Sequence, residues 1–141
     1  MVKNEKKIKK VCSFYASDFH LEMIILPYIN EKLKEEKEIK IITEENLEDS
    51  MNVLLSKLNI DNKEQILNID WNNKDEKLNN EKVVFVNGSR KYIEKINNKL
   101  EKNYENIEII NCYKFDEVKN DMVKINEEHD DILNVLKYNH V

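Results

Sequence analysis

At 141 residues the chain has the length of one domain, and a 40% hydrophobic content supplies a core despite 36% charged side chains. Its 28 acidic and 23 basic groups leave a net charge of −5, which argues against a general attraction to nucleic acid or anionic lipid. No apolar run approaches the roughly 18 residues that span a bilayer, and no signal-peptide core follows the N-terminal lysines, so a cytoplasmic protein without membrane association is expected. The single glycine, Gly88, excludes more. A Walker loop needs two glycines and a dinucleotide fingerprint two or three, because only backbone without Cβ lets several N–H groups converge on a phosphate.

The organisation expected is one domain over 1–141. Residues 1–9, with Lys3, Lys6, Lys7 and Lys9, form a flexible basic arm, and Lys10 follows. Lys10 to Tyr15 reads as a first strand. Ser17 or Asp18 then caps a helix to about Glu36, buried through Leu21, Ile24, Ile25, Tyr28, Ile29 and Leu33. Pro27 inside it predicts a kink. Glu38 to Thr43 is a second strand, and Leu47, Met51, Leu54, Leu55 and Leu58 line a second helix. Gln65 to Trp71 reads as a third strand, followed by a polar stretch, Asn72 to Lys82, which is a loop or short helix.

Val83 to Val86 is the most apolar strand and is expected at the centre of the sheet. Asn87-Gly88-Ser89 turns it into a helix capped by Ser89, with Ile93, Ile96 and Leu100 as its buried stripe. Ile107 to Phe115 is a fifth strand. Asp116 is expected to cap a last helix in which Val118, Met122, Ile125, His129, Ile132 and Leu136 make a narrow 4-3-4-3-4 seam. That seam packs on the sheet, giving a monomer, or on a second copy, giving a homodimer through the C-terminal helix; the monomer is favoured. Cys12 and Cys112 lie in apolar runs and read as small buried hydrophobes. No Cys or His spacing suits a metal, and no cofactor is expected. The 21 asparagines read as compositional bias carrying little functional signal.

Strands alternating with helices and no hairpin signal predict an α/β three-layer sandwich on a mainly parallel five-stranded sheet, RecA-like or flavodoxin-like in order. Ligands of such sheets collect at the carboxyl ends of the strands. The candidate ligand-binding residues there are Phe14, Tyr15, Ser17, Asp18, His20, Glu44, Asp70, Trp71, Ser89, Arg90 and Tyr113, an aromatic set with a few orienting polar groups. Asn87-Gly88-Ser89-Arg90 offers a helix N-terminus and a guanidinium to one anion, or is a plain turn and cap. Asp18, His20 and Asp70 form an alternative catalytic set for a small enzyme. His129, beside Asp130 and upstream of Asn134, is an alternative phosphoacceptor.

Val11-Cys12-Ser13-Phe14-Tyr15, Asp18, Ile25-Leu26-Pro27-Tyr28-Ile29, Leu33 and Ile39 to Asn46 resemble the MEDS domain, the DcmR-type sensory domain of methanogen and methylotroph regulators. Gln65 to Asp70 is similar to that family's following strand, and Asn111-Cys112-Tyr113 to its late Cys-X-Tyr strand. Two departures stand out: Asn30 to Lys34 is free of glycine, and His20 matches no clear family histidine. The resemblance implies a degenerate relative of RecA/KaiC-like P-loop ATPases without a Walker loop. It further implies a non-enzymatic sensory or regulatory role, binding a small molecule, a signalling partner protein, or both.

Overall fold

The computed structural model describes residues 7–133. Lys3 and Lys6 of the basic arm, Leu136 of the seam and Asn134 lie outside the described residues, as does the side chain of Asp18.

Five strands, β1 (Ile8–Tyr15), β2 (Ile39–Thr43), β3 (Val83–Gly88), β4 (Ile107–Lys114) and β5 (Asp131–Ile132), pair in parallel in the order β2-β3-β4-β1-β5. Helices flank both faces, giving a three-layer α/β arrangement. On one face lie α1 (Asp18–Lys34), α2 (Glu48–Lys57) and α3 (Lys63–Leu67), where Leu21, Ile24, Met51, Leu55 and Ile66 meet Val11, Ile41, Phe85 and Ile110. On the other lie α4 (Arg90–Asn103), α5 (Phe115–Val118) and α6 (Met122–Glu127), where Ile93, Ile96, Leu100, Val118 and Ile125 meet Cys12, Ile42, Val84 and Ile109. Among the described residues no helix is long and apolar enough to cross a membrane. Both cysteines are free and buried. Burial pushes the Cys12 thiol up to about 11 and raises that of Cys112 as well.

Several expected elements hold. The periodic stripes of α1, α2 and α4 are the buried ones, and Ser17 and Ser89 cap α1 and α4. Helix α1 runs unbroken past Pro27.

Three readings are corrected. Gln65 to Trp71 is not a strand: Lys63–Leu67 is helical, and the buried positions, Ile66 and Trp71, do not alternate at a spacing of two. The Trp71 indole N–H donates to the Ile66 carbonyl at 2.9 Å and folds the segment back on itself. The interior strand Val83–Gly88 has β2 on one side and β4 on the other, so β4, not β3, is central.

The long C-terminal helix is replaced by α5, α6 and β5, and Asp116 falls in the first turn of α5 with Lys114 at the cap position. At the end of α6 the chain peels into the sheet, where Asp130 N–H bonds the Lys10 carbonyl at 2.7 Å and Leu133 N–H the Cys12 carbonyl at 2.8 Å. Unmet backbone groups on the outer side of β1 outweigh continued helix there. Val118 and Ile125 are core residues, so among the described residues no continuous helical seam is left for the alternative homodimer, and the favoured packing of these positions on the sheet is the one seen.

Candidate functional site

At the carboxyl ends of the strands the polar groups are turned inward. The Tyr15 hydroxyl reaches over β4 and donates to Asn87 Oδ1 at 2.6 Å. Asn87 Nδ2 donates to Thr43 Oγ1 at 3.1 Å, and that hydroxyl donates to the Glu45 carbonyl at 2.7 Å. Tyr15, Asn87 and Thr43 are all buried, so this chain of bonds ties β1, β3 and β2 together beneath the surface.

Both long helices that begin at this edge have N-termini closed by the protein itself. At α1, Ser17 Oγ accepts the His20 N–H at 3.2 Å, and His20 Nδ1 accepts the Ala16 N–H at 2.9 Å. His20 is thereby a capping residue. At α4, Ser89 Oγ accepts the Tyr92 N–H at 3.2 Å, and the Glu44 carboxylate accepts the Ser89 N–H at 2.8 Å. A carboxylate sits where a bound anion would sit. Arg90 turns away to Asp121 at 2.8 Å and Glu94 at 3.5 Å. Gly88 makes the close approach possible. A Cβ there would stand 2.7 Å from the Tyr92 ring and 2.9 Å from Glu44 Cβ.

An open space lies lower, on the α4–α6 face. A cleft of about 520 Å³ opens between α4 and the α6–β5 turn, with Arg90, Asn97, Tyr113, Glu128, His129 and Lys10 among its walls. Phe14 stacks on Tyr113 with ring centroids 6.0 Å apart, and Tyr113 meets the His129 ring edge-on at the same distance. Asn97 and Asn111 exchange amide hydrogen bonds of 2.8 and 2.9 Å. Asn111 Nδ2 also lies 3.0 Å from His129 Nε2, while His129 Nδ1 lies 2.6 Å from the Ile125 carbonyl.

One protonation pattern satisfies all of these contacts. Asn97 Nδ2 donates to the Ile93 carbonyl at 2.8 Å, which sets the amide of Asn97, hence that of Asn111, hence Nε2 of His129 as an acceptor. The carbonyl of Ile125 makes Nδ1 the protonated nitrogen. Burial accordingly holds the imidazole below its ordinary value of 6.5, and burial raises the Tyr113 phenol. Both nitrogens of His129 are engaged, which leaves no free one to accept a phosphoryl group.

The structure gathers Phe14, Arg90 and Tyr113 of the expected set near this cleft, and holds Tyr15, Ser17, His20, Glu44 and Ser89 in structural bonds at the edge above it. Asp70 and Trp71 belong elsewhere. Trp71 is buried in the α1–α3 core, which takes it out of the expected ligand-binding set. Asp70 accepts the Asn72 N–H at 3.0 Å and borders a groove of about 680 Å³ along the outer edge of β2. Asp70 thus borders the groove beside β2, whereas His20 is held by the Ala16 N–H at the start of α1.

Sequence reasoning missed Asn97 and Asn111 and the bond that ties them to His129. The signal was present in Asn97, one residue after Ile96 in the α4 stripe, and in Asn111, inside the apolar run of β4. A polar side chain in such a run is buried only with partners.

No protein-family model matches the chain, and no curated protein and no solved structure matches it significantly.

Proposed function

We propose that this chain is a non-enzymatic sensory or regulatory domain of the cytoplasm that binds a polar small molecule in the α4–α6 cleft and signals through a partner protein. The carrying observation is that Ser17 with His20, and Ser89 with Glu44, close the two helix N-termini at the strand ends, whereas the cleft beside His129 stays open. Phosphoryl chemistry lacks its anchor, while a walled space with aromatic and charged edges is kept.

Relationship to the MEDS domain, as a degenerate RecA/KaiC-like protein, belongs to the same proposal. In this chain β1 lies between β4 and β5, whereas a flavodoxin-like order of 2-1-3-4-5 places β1 between β2 and β3, so the proposal takes the RecA-like of the two expected orders.

Thermal-shift screening with nucleotides and polar metabolites tests the reading. A cleft ligand raises the melting temperature of the wild type and not of Asn98→Trp, in which an exposed rim residue fills the space. Hydrolysis of ATP by the pure protein, or a stabilising ligand indifferent to Asn98→Trp, counts against it.

A further inference from the structure

The outer surface of α1 and α2 carries an apolar patch that the core does not use. Phe19 is 60% exposed, Val53 56% and Met23 38%, three of the six large apolar side chains exposed among the described residues. A groove of about 370 Å³ opens beside them between the two helices, bordered by Phe19, Val53, Leu54 and Lys57, with the Ser50 hydroxyl donating to the buried Glu22 carboxylate. Phe19 and Val53 border this one groove, and exposed apolar side chains gathered at one place can serve as an interaction site.

The charges around the patch say which partner fits. Asp49, Val53 and Lys57 stand four residues apart along α2, on a single line of the helix surface, with about 12 Å from first to last. Acid, apolar centre and base follow in that order. A two-fold axis through Val53, perpendicular to the helix, lays the stripe on its own reverse. Val53 then meets the partner's Val53, and Asp49 faces the partner's Lys57 at both ends. Among the described residues, neither Asp49 nor Lys57 is in an ion pair within its own chain, so both are available to a second copy.

From this we infer that the α1–α2 face is a self-complementary docking surface for a second copy of this chain. The contact is isologous, each patch meeting its mate, with Phe19 and Met23 extending the apolar centre. It lies on the opposite side of the sheet from the α4–α6 cleft, which dimerisation therefore leaves open. A patch this small falls short of the roughly 800 Å² per partner of a standard interface, so the dimer forms weakly and with concentration.

Sedimentation of the full chain from low micromolar to millimolar concentration tests this. The wild type shifts from monomer to dimer over that range. Val53→Glu, Asp49→Lys and Lys57→Asp each weaken association by about tenfold or more, with circular dichroism unchanged because all three residues are exposed. Combining Asp49→Lys with Lys57→Asp restores it to near the wild-type value. The double exchange separates this role from the favourable placement of an acid at the start and a base at the end of a helix, since it opposes the helix dipole while rebuilding the pairs. A chain that stays monomeric throughout overturns the proposal. So does a dimer indifferent to Val53→Glu, or a folded double exchange that fails to associate.

Discussion

Asn97 on α4 and Asn111 on β4 hold each other by two amide hydrogen bonds of 2.8 and 2.9 Å, at 4% and 1% exposure. Because the pair is anchored at one end by the Ile93 carbonyl and ends at the other on His129 Nε2, the orientation of every member is determined. Four polar side-chain and backbone groups from α4, β4 and the α6–β5 turn are satisfied as one unit. A single replacement therefore orphans more than one group.

Asn111→Leu is expected to cost about 2–4 kcal/mol, since it leaves Asn97 Oδ1 and His129 Nε2 without their donor in a buried setting. Urea unfolding at neutral pH measures it. A loss under about 0.5 kcal/mol would mean that water replaces the amide and that the network is not closed.

Acid should loosen the same region. His129 is held below its ordinary 6.5 in the folded protein, so the unfolded chain binds a proton more readily. The stabilisation is fully present above about 6.5 and is lost as pH falls from there toward the lower folded value. Lys10 on β1 opposes the protonated form, while Glu128 and Asp130 favour it. Glu108, whose carboxyl burial raises above 4.5, works in the opposite sense, gaining stability as pH falls. The difference between wild type and His129→Gln isolates the histidine. Wild-type stability should fall relative to the variant between about pH 6.5 and pH 5, and parallel curves would remove the effect.

Gly88→Ala should be destabilising by about 1–3 kcal/mol. Its new methyl group would lie 2.7 Å from the Tyr92 ring and 2.9 Å from Glu44 Cβ, at a backbone φ of +158°. The Tyr92 ring or Glu44 must move, and the Glu44 carboxylate then leaves the Ser89 N–H. Thermal melts report the loss. A melting point equal to wild type would show that the turn is loose.

Neither thiol should react in the native state. Cys12 and Cys112 are buried, and the first is pushed up to about 11, so little thiolate exists near neutrality. Titration with a disulfide reagent at pH 8 should show no fast reacting group, and two after unfolding. A fast equivalent in the native protein would place one cysteine at the surface.

Tyr92→Phe should be neutral or slightly stabilising. Among the described residues its hydroxyl and that of Ser13 are buried without a hydrogen-bond partner, so removal relieves a desolvation cost. Comparison of denaturation midpoints decides it, and a clear loss of stability would reveal a partner for the phenol.

Hydrophobic periodicity was enough to read α1, α2, α4, β2 and β4, because each buries its own face and its spacing states which one. Ser17 and Ser89 were legible as caps for an equally local reason: the bond spans three residues. The absence of a phosphate loop was readable from the single glycine. What the sequence could not state depends on partners distant along the chain. Ile66 and Trp71 look like strand residues until the indole finds the Ile66 carbonyl. Val118 to Ile132 spells a helical seam, yet the open edge of β1 draws residues 130–133 into the sheet. Asparagines that passed as compositional bias became buried anchors, since Asn87 meets Tyr15, Asn97 meets Asn111, and Asn111 meets His129 only after β1, β3, β4 and α4 have packed. Local spacing determines which residues are buried; only the assembled sheet decides which polar groups are buried together, because a hydrogen bond needs its partner in space, not in sequence.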